Sequence, residues 1–119
     1  MTRALGEFEQ LILLAVLRLG NDAYGMTIRQ EVERGTGRDV SAGAVYTTLG
    51  RLESRGLVSA RTGETVPERT GQRRRYYRLQ PEGAAELYRA YSDVRRMARG
   101  LVPELADLAS RATGGAGDR

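Results

Sequence analysis

Residues 40–56 read VSAGAVYTTLGRLESRG, continue as LVSAR to Arg61, and are answered after a loop by RRRYYRL over residues 73–79. Ser41 is a suitable N-cap, because its hydroxyl can accept from the first unpaired amides of a helix. Val45, Leu49 and Leu52 follow at i, i+4 and i+7, the spacing that gathers apolar side chains on one face of a helix. Gly56 ends the run. Leu57–Arg61 and Arg75–Leu79 have the short β-favouring character of strands, and the loop between them holds Gly63, Pro67 and Gly71. The stretch therefore predicts a helix, a strand, a long basic loop and a returning strand.

On the N-terminal side, residues 6–19 follow a helical pattern. Phe8, Ile12, Ala15 and Leu19 share one face, while Leu13 and Leu17 point the other way. A helix that is apolar nearly all round needs cover on both sides, so one face is expected on its own domain and the other on a second chain. Gly20-Asn21-Asp22 makes a turn. A second helix is expected from Ala23 or Tyr24 to Arg34, with Ile28 and Val32 inward. Gly35-Thr36-Gly37 stops it; no strand precedes this GTG, so a helix cap fits better than a phosphate loop.

On the C-terminal side, Pro81 suits the first position of a last helix. There Ala84, Leu87, Tyr91, Val94, Ala98, Leu101, Leu105 and Leu108 form a heptad seam. It extends over roughly 36 Å at about 1.5 Å per residue, more than a domain of this size can cover by itself. A helix of a second copy is the expected cover. Gly100 and Pro103 interrupt the pattern, and a kink is expected between Arg99 and Pro103. The domain organisation expected is thus residues 1–80 as one module, 81–111 as a C-terminal dimerisation helix and 112–119 as a disordered tail, with the first four residues frayed.

Composition removes most catalytic chemistry. The chain has 119 residues, enough for one modest core. It contains no Cys, His or Trp, and all 19 basic residues are Arg. A histidine triad, a Cys/His metal site, a Schiff-base lysine and a P-loop lysine are therefore excluded. The 15 acidic residues show no defensible pairing. No enzyme activity, metal or cofactor is expected. The longest apolar run, Leu11–Leu17, is far below the ~20 residues that span a bilayer, and the N-terminus lacks a secretion signal. No membrane partner and a cytoplasmic location are expected. Net charge is +4, a weak signal alone; the cluster Arg73, Arg74, Arg75 and Arg78 is a stronger one.

Together these elements outline a winged helix-turn-helix: a mainly α fold with a small β-hairpin, plus a long C-terminal dimerisation helix. In such a fold the helix beginning near Ala42 is the candidate DNA reader. Opposite its apolar face lie Gly43, Ala44, Thr47, Gly50, Arg51 and Ser54. Small side chains admit a helix deep into the major groove, an arginine can bond guanine O6 and N7 together, and a threonine can meet a thymine methyl. Tyr46, on the flank, is in reach of a phosphate. A solvated helix face would have the same composition; the arginine-rich hairpin beside it favours the reader. Arg73, Arg74 and Arg75 would lie against phosphates or in the minor groove, with Glu64 and Glu68 partly pairing the wing with itself. Tyr76 and Tyr77 point to opposite faces of their strand, and Leu79 favours Tyr77 as the inward one.

The ordered set LILLAVLRLG (11–20), YGMTIRQEV (24–32), VSAGAVYTTLGRLESRGLV (40–58) and RRRYYRLQPEG (73–83) resembles the PadR family of transcriptional regulators, over about residues 6–110. The resemblance is to the compact type with a single C-terminal helix. It implies a homodimer that binds double-stranded DNA at an inverted repeat as a repressor, released by a small aromatic or drug-like effector. The DNA contacts it implies fall at Tyr24, Ser41, Gly43, Ala44, Tyr46, Thr47, Arg51, Arg73, Arg74 and Arg75. The dimer interface it implies takes in Phe8, Leu13, Leu17, Leu87, Tyr91, Val94, Ala98, Leu101 and Leu105. Effector binding between paired tryptophans does not transfer, since the chain has none. Phe8, Tyr88 and Tyr91 remain as a candidate pocket, for which plain interface packing is the stronger account. The alternatives are a winged-helix protein-interaction module without sequence-specific DNA binding, and a small-molecule-binding protein that acts by sequestration.

Overall fold

The computed structural model describes residues 4–65 and 73–117, with the side chains of 64–65 and 114–117 left aside. The loop glutamate Glu68, with Pro67 and Gly71, lies outside the described residues, as do the first three residues and the last two. The elements in chain order are α1 (Glu7–Leu19), a single 3₁₀ turn (Gly20–Asp22), α2 (Gly25–Thr36), α3 (Ala42–Ser54), β1 (Val58–Thr65), β2 (Arg73–Leu79), α4 (Pro81–Ala98) and α5 (Val102–Gly117). The expected mainly α fold with one hairpin is therefore observed, and both strands run longer than the sequence suggested.

The chain forms two compact units, residues 1–88 and 89–119. The first is the winged helix-turn-helix. It extends past the expected boundary at residue 80, because the start of α4 is fastened to it. The Gln80 amide donates to the Leu57 carbonyl at 2.9 Å. One Arg55 amino group reaches both Glu86 oxygens, at 2.8 and 3.0 Å, joining the end of α3 to α4.

One core serves this unit. Ile12, Leu13, Ile28, Val45, Leu49, Leu52, Leu57 and Val58 are almost completely buried, and Tyr77 and Leu87 close it. The inward faces expected for α2 and α3 are the ones observed, and Tyr77 is indeed the inward tyrosine of β2. Two expectations are corrected here. Leu13 and Leu87, assigned to a partner-facing surface, are buried in the single chain. Helix α1 touches α2, α3 and β2, so its covered sector is wide enough to enclose Leu13 as well as Ile12, Ala15 and Val16. Leu87 follows Glu86 into the core at the anchored start of α4. The apolar residues that α1 leaves exposed are Leu14 and Leu17.

β1 and β2 pair antiparallel, with Val58 opposite Leu79, Arg61 opposite Tyr76 and Thr62 opposite Arg75, and an irregularity between Thr62 and Thr65. The hairpin is also stitched to the segment before α2. Tyr24 forms an isolated bridge with Tyr76, and the Tyr77 amide donates to the Ala23 carbonyl at 2.8 Å.

In the second unit the single helix expected over 81–111 is two. Helix α4 stops at Ala98 and α5 begins at Val102. The interruption falls where the kink was expected, but it is Gly100 that makes it. Its φ of +80° is open to glycine and strained for other residues, and the Leu101 amide turns back to Ala98. Pro103 then occupies the first turn of α5, where a proline has no hydrogen bond to lose. Helix α5 runs on to Gly117, past the expected end at 111. Tyr91, Val94, Met97, Leu101, Val102, Leu105 and Leu108 are all more than half exposed. None of the helices in the described residues is long and apolar enough to cross a membrane.

Candidate nucleic-acid interface

The outward face of α3, the candidate DNA reader, starts from a capped helix end. The Ser41 hydroxyl accepts from the Ala44 amide at 3.1 Å and starts the helix. Val45, Leu49 and Leu52 pull one side into the core, so Gly43, Ala44, Tyr46, Thr47, Gly50, Arg51 and Ser54 all face outward. The turn that leads into the helix is clamped from α2: Arg29 Nε donates to the Val40 carbonyl at 2.6 Å, and the Val40 amide donates to Glu33 Oε2 at 3.0 Å. Both polar groups of one turn residue are thereby satisfied, which sets the angle at which α3 leaves α2.

Tyr46 is exposed, yet its ring lies across the first residue of α2. A Cβ at Gly25 would stand 2.4 Å from the Tyr46 hydroxyl oxygen, so only glycine permits this approach. Tyr24 caps the same helix end, its amide donating to Thr27 Oγ1 at 3.0 Å. Tyr24 and Tyr46, far apart in sequence, are thus brought to one helix terminus, where the amide dipoles favour an anion such as a DNA phosphate.

The wing joins this cluster through aromatic rings. Tyr24 and Tyr76 meet edge to face with ring centres 5.4 Å apart. The Arg74 guanidinium sits 4.4 Å from the centre of the Tyr24 ring, and Arg61 sits 4.6 Å from that of Tyr76. Both distances fall within the range in which a cation is held by a ring face. Arg75 is bound to Glu53 of α3, Nη2 to Oε2 at 2.6 Å. Arg73 is exposed on the same strand. Arg73, Arg74 and Arg75 are therefore not equivalent: Arg74 rests on Tyr24, Arg75 is paired with α3, and Arg73 faces outward. The self-pairing expected from Glu64 and Glu68 falls on side chains outside the described residues.

Arg51 has a partner that the helical wheel did not suggest. Its Nε lies 3.8 Å from Oε2 of Glu9, a residue of α1 with only 4% of its surface exposed. The other Glu9 oxygen accepts from the Gly6 amide at 2.8 Å, closing the N-terminus of α1. Neither Glu9 nor Glu53 was visible as a site residue, because each owes its place to a contact between distant elements. Arg61 was within reach of sequence reasoning: it stands opposite Tyr76 in the hairpin, and cross-strand neighbours on one face interact.

The proposed effector residues are not gathered by the first unit. Phe8 lines an open cleft of about 390 Å³ with Leu11, Val32, Arg38, Asp39, Val40, Ser41 and Ala44. Tyr88 and Tyr91 are exposed on α4 and do not line it. Among the described residues no group of three Asp or Glu side chains could hold a metal ion.

Burial raises the pKa of the Tyr77 phenol above its ordinary value, against the opposing charge and hydrogen bond of Arg75.

Comparison with known proteins agrees with this geometry. The sequence profile of the transcriptional regulator PadR-like family matches residues 13–89. A PadR family transcription regulator from Clostridium difficile is similar in structure, with a TM-score of 0.63 and 23% identity over 82% of this chain and 98% of its own. A PadR-like transcription factor from Bacteroides fragilis has a TM-score of 0.61 and 26% identity over 76% of this chain and 82% of its own. A PadR-like transcriptional regulator from Bacillus cereus has a TM-score of 0.63 and 21% identity over 83% and 90%. A search of curated protein sequences found no match. A profile match over well over half the chain, on a winged helix-turn-helix fold, makes this chain a member of the PadR-like family of transcriptional regulators.

Proposed function

We propose that the protein is a homodimeric repressor that occupies an inverted-repeat operator. The observation that carries the reading is the outward face of α3, stripped of bulk at Gly43, Ala44, Thr47 and Gly50 and flanked by a wing on which Arg74 rests on Tyr24 and Arg75 pairs with Glu53. In this reading Gly43, Ala44 and Thr47 admit the helix to the major groove, and Arg51 contacts a base edge. Ser41, Tyr24 and Tyr46 meet phosphates at the ends of α3 and α2, and Arg73 and Arg74 track the backbone beside them. The exposed apolar residues of α4 and α5, with Leu14 and Leu17 of α1, support burial against a second copy, since an isolated chain rarely leaves so large an apolar surface open. A two-fold dimer presents two reader helices about one DNA turn apart, which calls for an inverted repeat. Release by a small aromatic or drug-like effector completes the proposal, and the cleft lined by Phe8 supports it, because its wall includes Ser41 and Ala44 at the start of the reader helix.

Fluorescence anisotropy tests this with labelled duplex from the gene's own upstream region against a scrambled duplex, at about 150 mM salt. A preference of about a hundredfold or more, with one dimer per inverted repeat, supports a specific regulator. Equally weak binding to both, and to fragments selected from the whole genome, favours a protein-interaction module instead.

A further inference from the structure

We infer that Glu9 is a positioning residue for base readout, holding the Arg51 guanidinium in the rotamer from which it meets the DNA. The inference rests on the reading of Arg51 as a base contact and goes beyond it, because Glu9 lies on α1, away from the reader face.

Glu9 is the one carboxylate of the described residues that is buried in the first unit's core region. Its two oxygens serve two elements. Oε1 accepts from the Gly6 amide at the start of α1, and Oε2 faces Arg51 Nε on α3. A carboxylate taken out of water favours positive charge nearby, and the Arg51 guanidinium supplies one at ion-pair distance, 3.8 Å. Arg51 is constrained from its own helix as well, Nη2 lying 3.5 Å from the Thr48 hydroxyl. Its side chain nonetheless remains 53% exposed, so it is held from behind and still open toward the groove. A long, flexible cation that reads a base must otherwise give up its rotamer freedom on binding; one that is already fixed gives up less. The same contact joins base choice to α1, the helix that also presents Leu14 and Leu17 outward. A shift of α1 would therefore reach Arg51 directly.

The test is selection from a randomised duplex pool by the wild-type dimer, Glu9→Gln, Arg51→Ala and the double variant, with sequencing of the bound fraction. Glutamine keeps an oxygen for the Gly6 amide but removes the charge. The expected result is that Glu9→Gln lowers discrimination at one base pair of each half-site by about three- to tenfold, that Arg51→Ala abolishes it there, and that the double variant matches Arg51→Ala. Glu9→Gln with undiminished preference at a base pair that Arg51→Ala relaxes overturns the inference and leaves Arg51 as a reader. Additive effects of the two changes overturn it as well, since Glu9 would then act elsewhere. If Arg51→Ala alters no base preference, the reading of Arg51 fails and the inference falls with it. Should Glu9→Gln not fold, the wild-type dimer decides the matter. A slowly exchanging Arg51 Nε–H signal in ¹⁵N NMR at neutral pH supports the held rotamer, and one exchanging as fast as that of Arg95 overturns it.

Discussion

Arg75 of the wing strand is bound to Glu53 in the last turn of α3, Nη2 to Oε2 at 2.6 Å. This cation of the wing is thus paired within the chain. Arg75 is about half exposed and Glu53 about one-third exposed, so the pair adds little to stability. Its effect falls on charge. Glu53→Gln is expected to leave the midpoint of urea unfolding nearly unchanged and to release Arg75 toward phosphate. Each phosphate neutralised adds about 0.9 to the slope of log affinity against log salt. Anisotropy titrations across salt concentrations should show a steeper dependence of about that size per protomer, for specific and scrambled duplexes alike.

A side chain at Gly25 is expected to act through a residue that lies on another helix. Alanine there would normally favour α2, but its Cβ would meet the Tyr46 ring at well under contact distance. The ring must swing away from the helix terminus where it is proposed to meet a phosphate. Gly25→Ala should therefore weaken binding to all duplexes severalfold with little change in stability, because the ring that must move is exposed. Chemical denaturation should show a nearly unchanged midpoint, and Tyr46→Ala should lower DNA affinity by a similar factor without further loss in the double variant.

Two residues of the same heptad seam should behave oppositely. Val94 is 65% exposed in the single chain, whereas Leu87 is 6% exposed. Val94→Asp places its charge in water if the chain is alone and in an apolar contact if a partner covers it. It should yield a folded monomer by analytical ultracentrifugation, with circular dichroism intact and operator affinity reduced by orders of magnitude. Leu87→Asp puts the charge in the chain's own core and should unfold the first unit. A Val94→Asp protein that remains dimeric would sink the proposed interface.

Alkaline pH should destabilise the winged unit through Tyr77. Burial raises its pKa above the ordinary value of 10.0, so the folded state favours the protonated phenol. The resulting stability is complete below pH 10 and is lost as pH rises through the folded-state value. Thermal melts between pH 9 and 11 should fall more steeply for the wild type than for Tyr77→Phe.

Much of the molecule was determined by residue spacing. The inward positions of α2 and α3 follow from helical periodicity, the ends of α2 and α3 from glycine placement, and the outward small face of α3 is what remains. These are local properties, set by a backbone geometry that repeats every few residues. Where several faces of one element are apolar, periodicity gives no ranking. The pattern of α1 therefore could not say that Leu13 is enclosed while Leu14 and Leu17 are left open. The seam of α4 could not say that Leu87 belongs to the chain's own core and Val94 does not. The partners of the functional side chains were likewise beyond local reading. Glu9 with Arg51, Glu53 with Arg75, Tyr24 with Tyr76 and Tyr46 with Gly25 are each separated by 20 residues or more. Their meeting depends on how α1, α2, α3 and the hairpin pack, and no spacing rule spans that distance. The sequence by itself determined which faces exist; the tertiary structure decided which of them are covered and which charges are already paired, because burial and pairing belong to the packed whole.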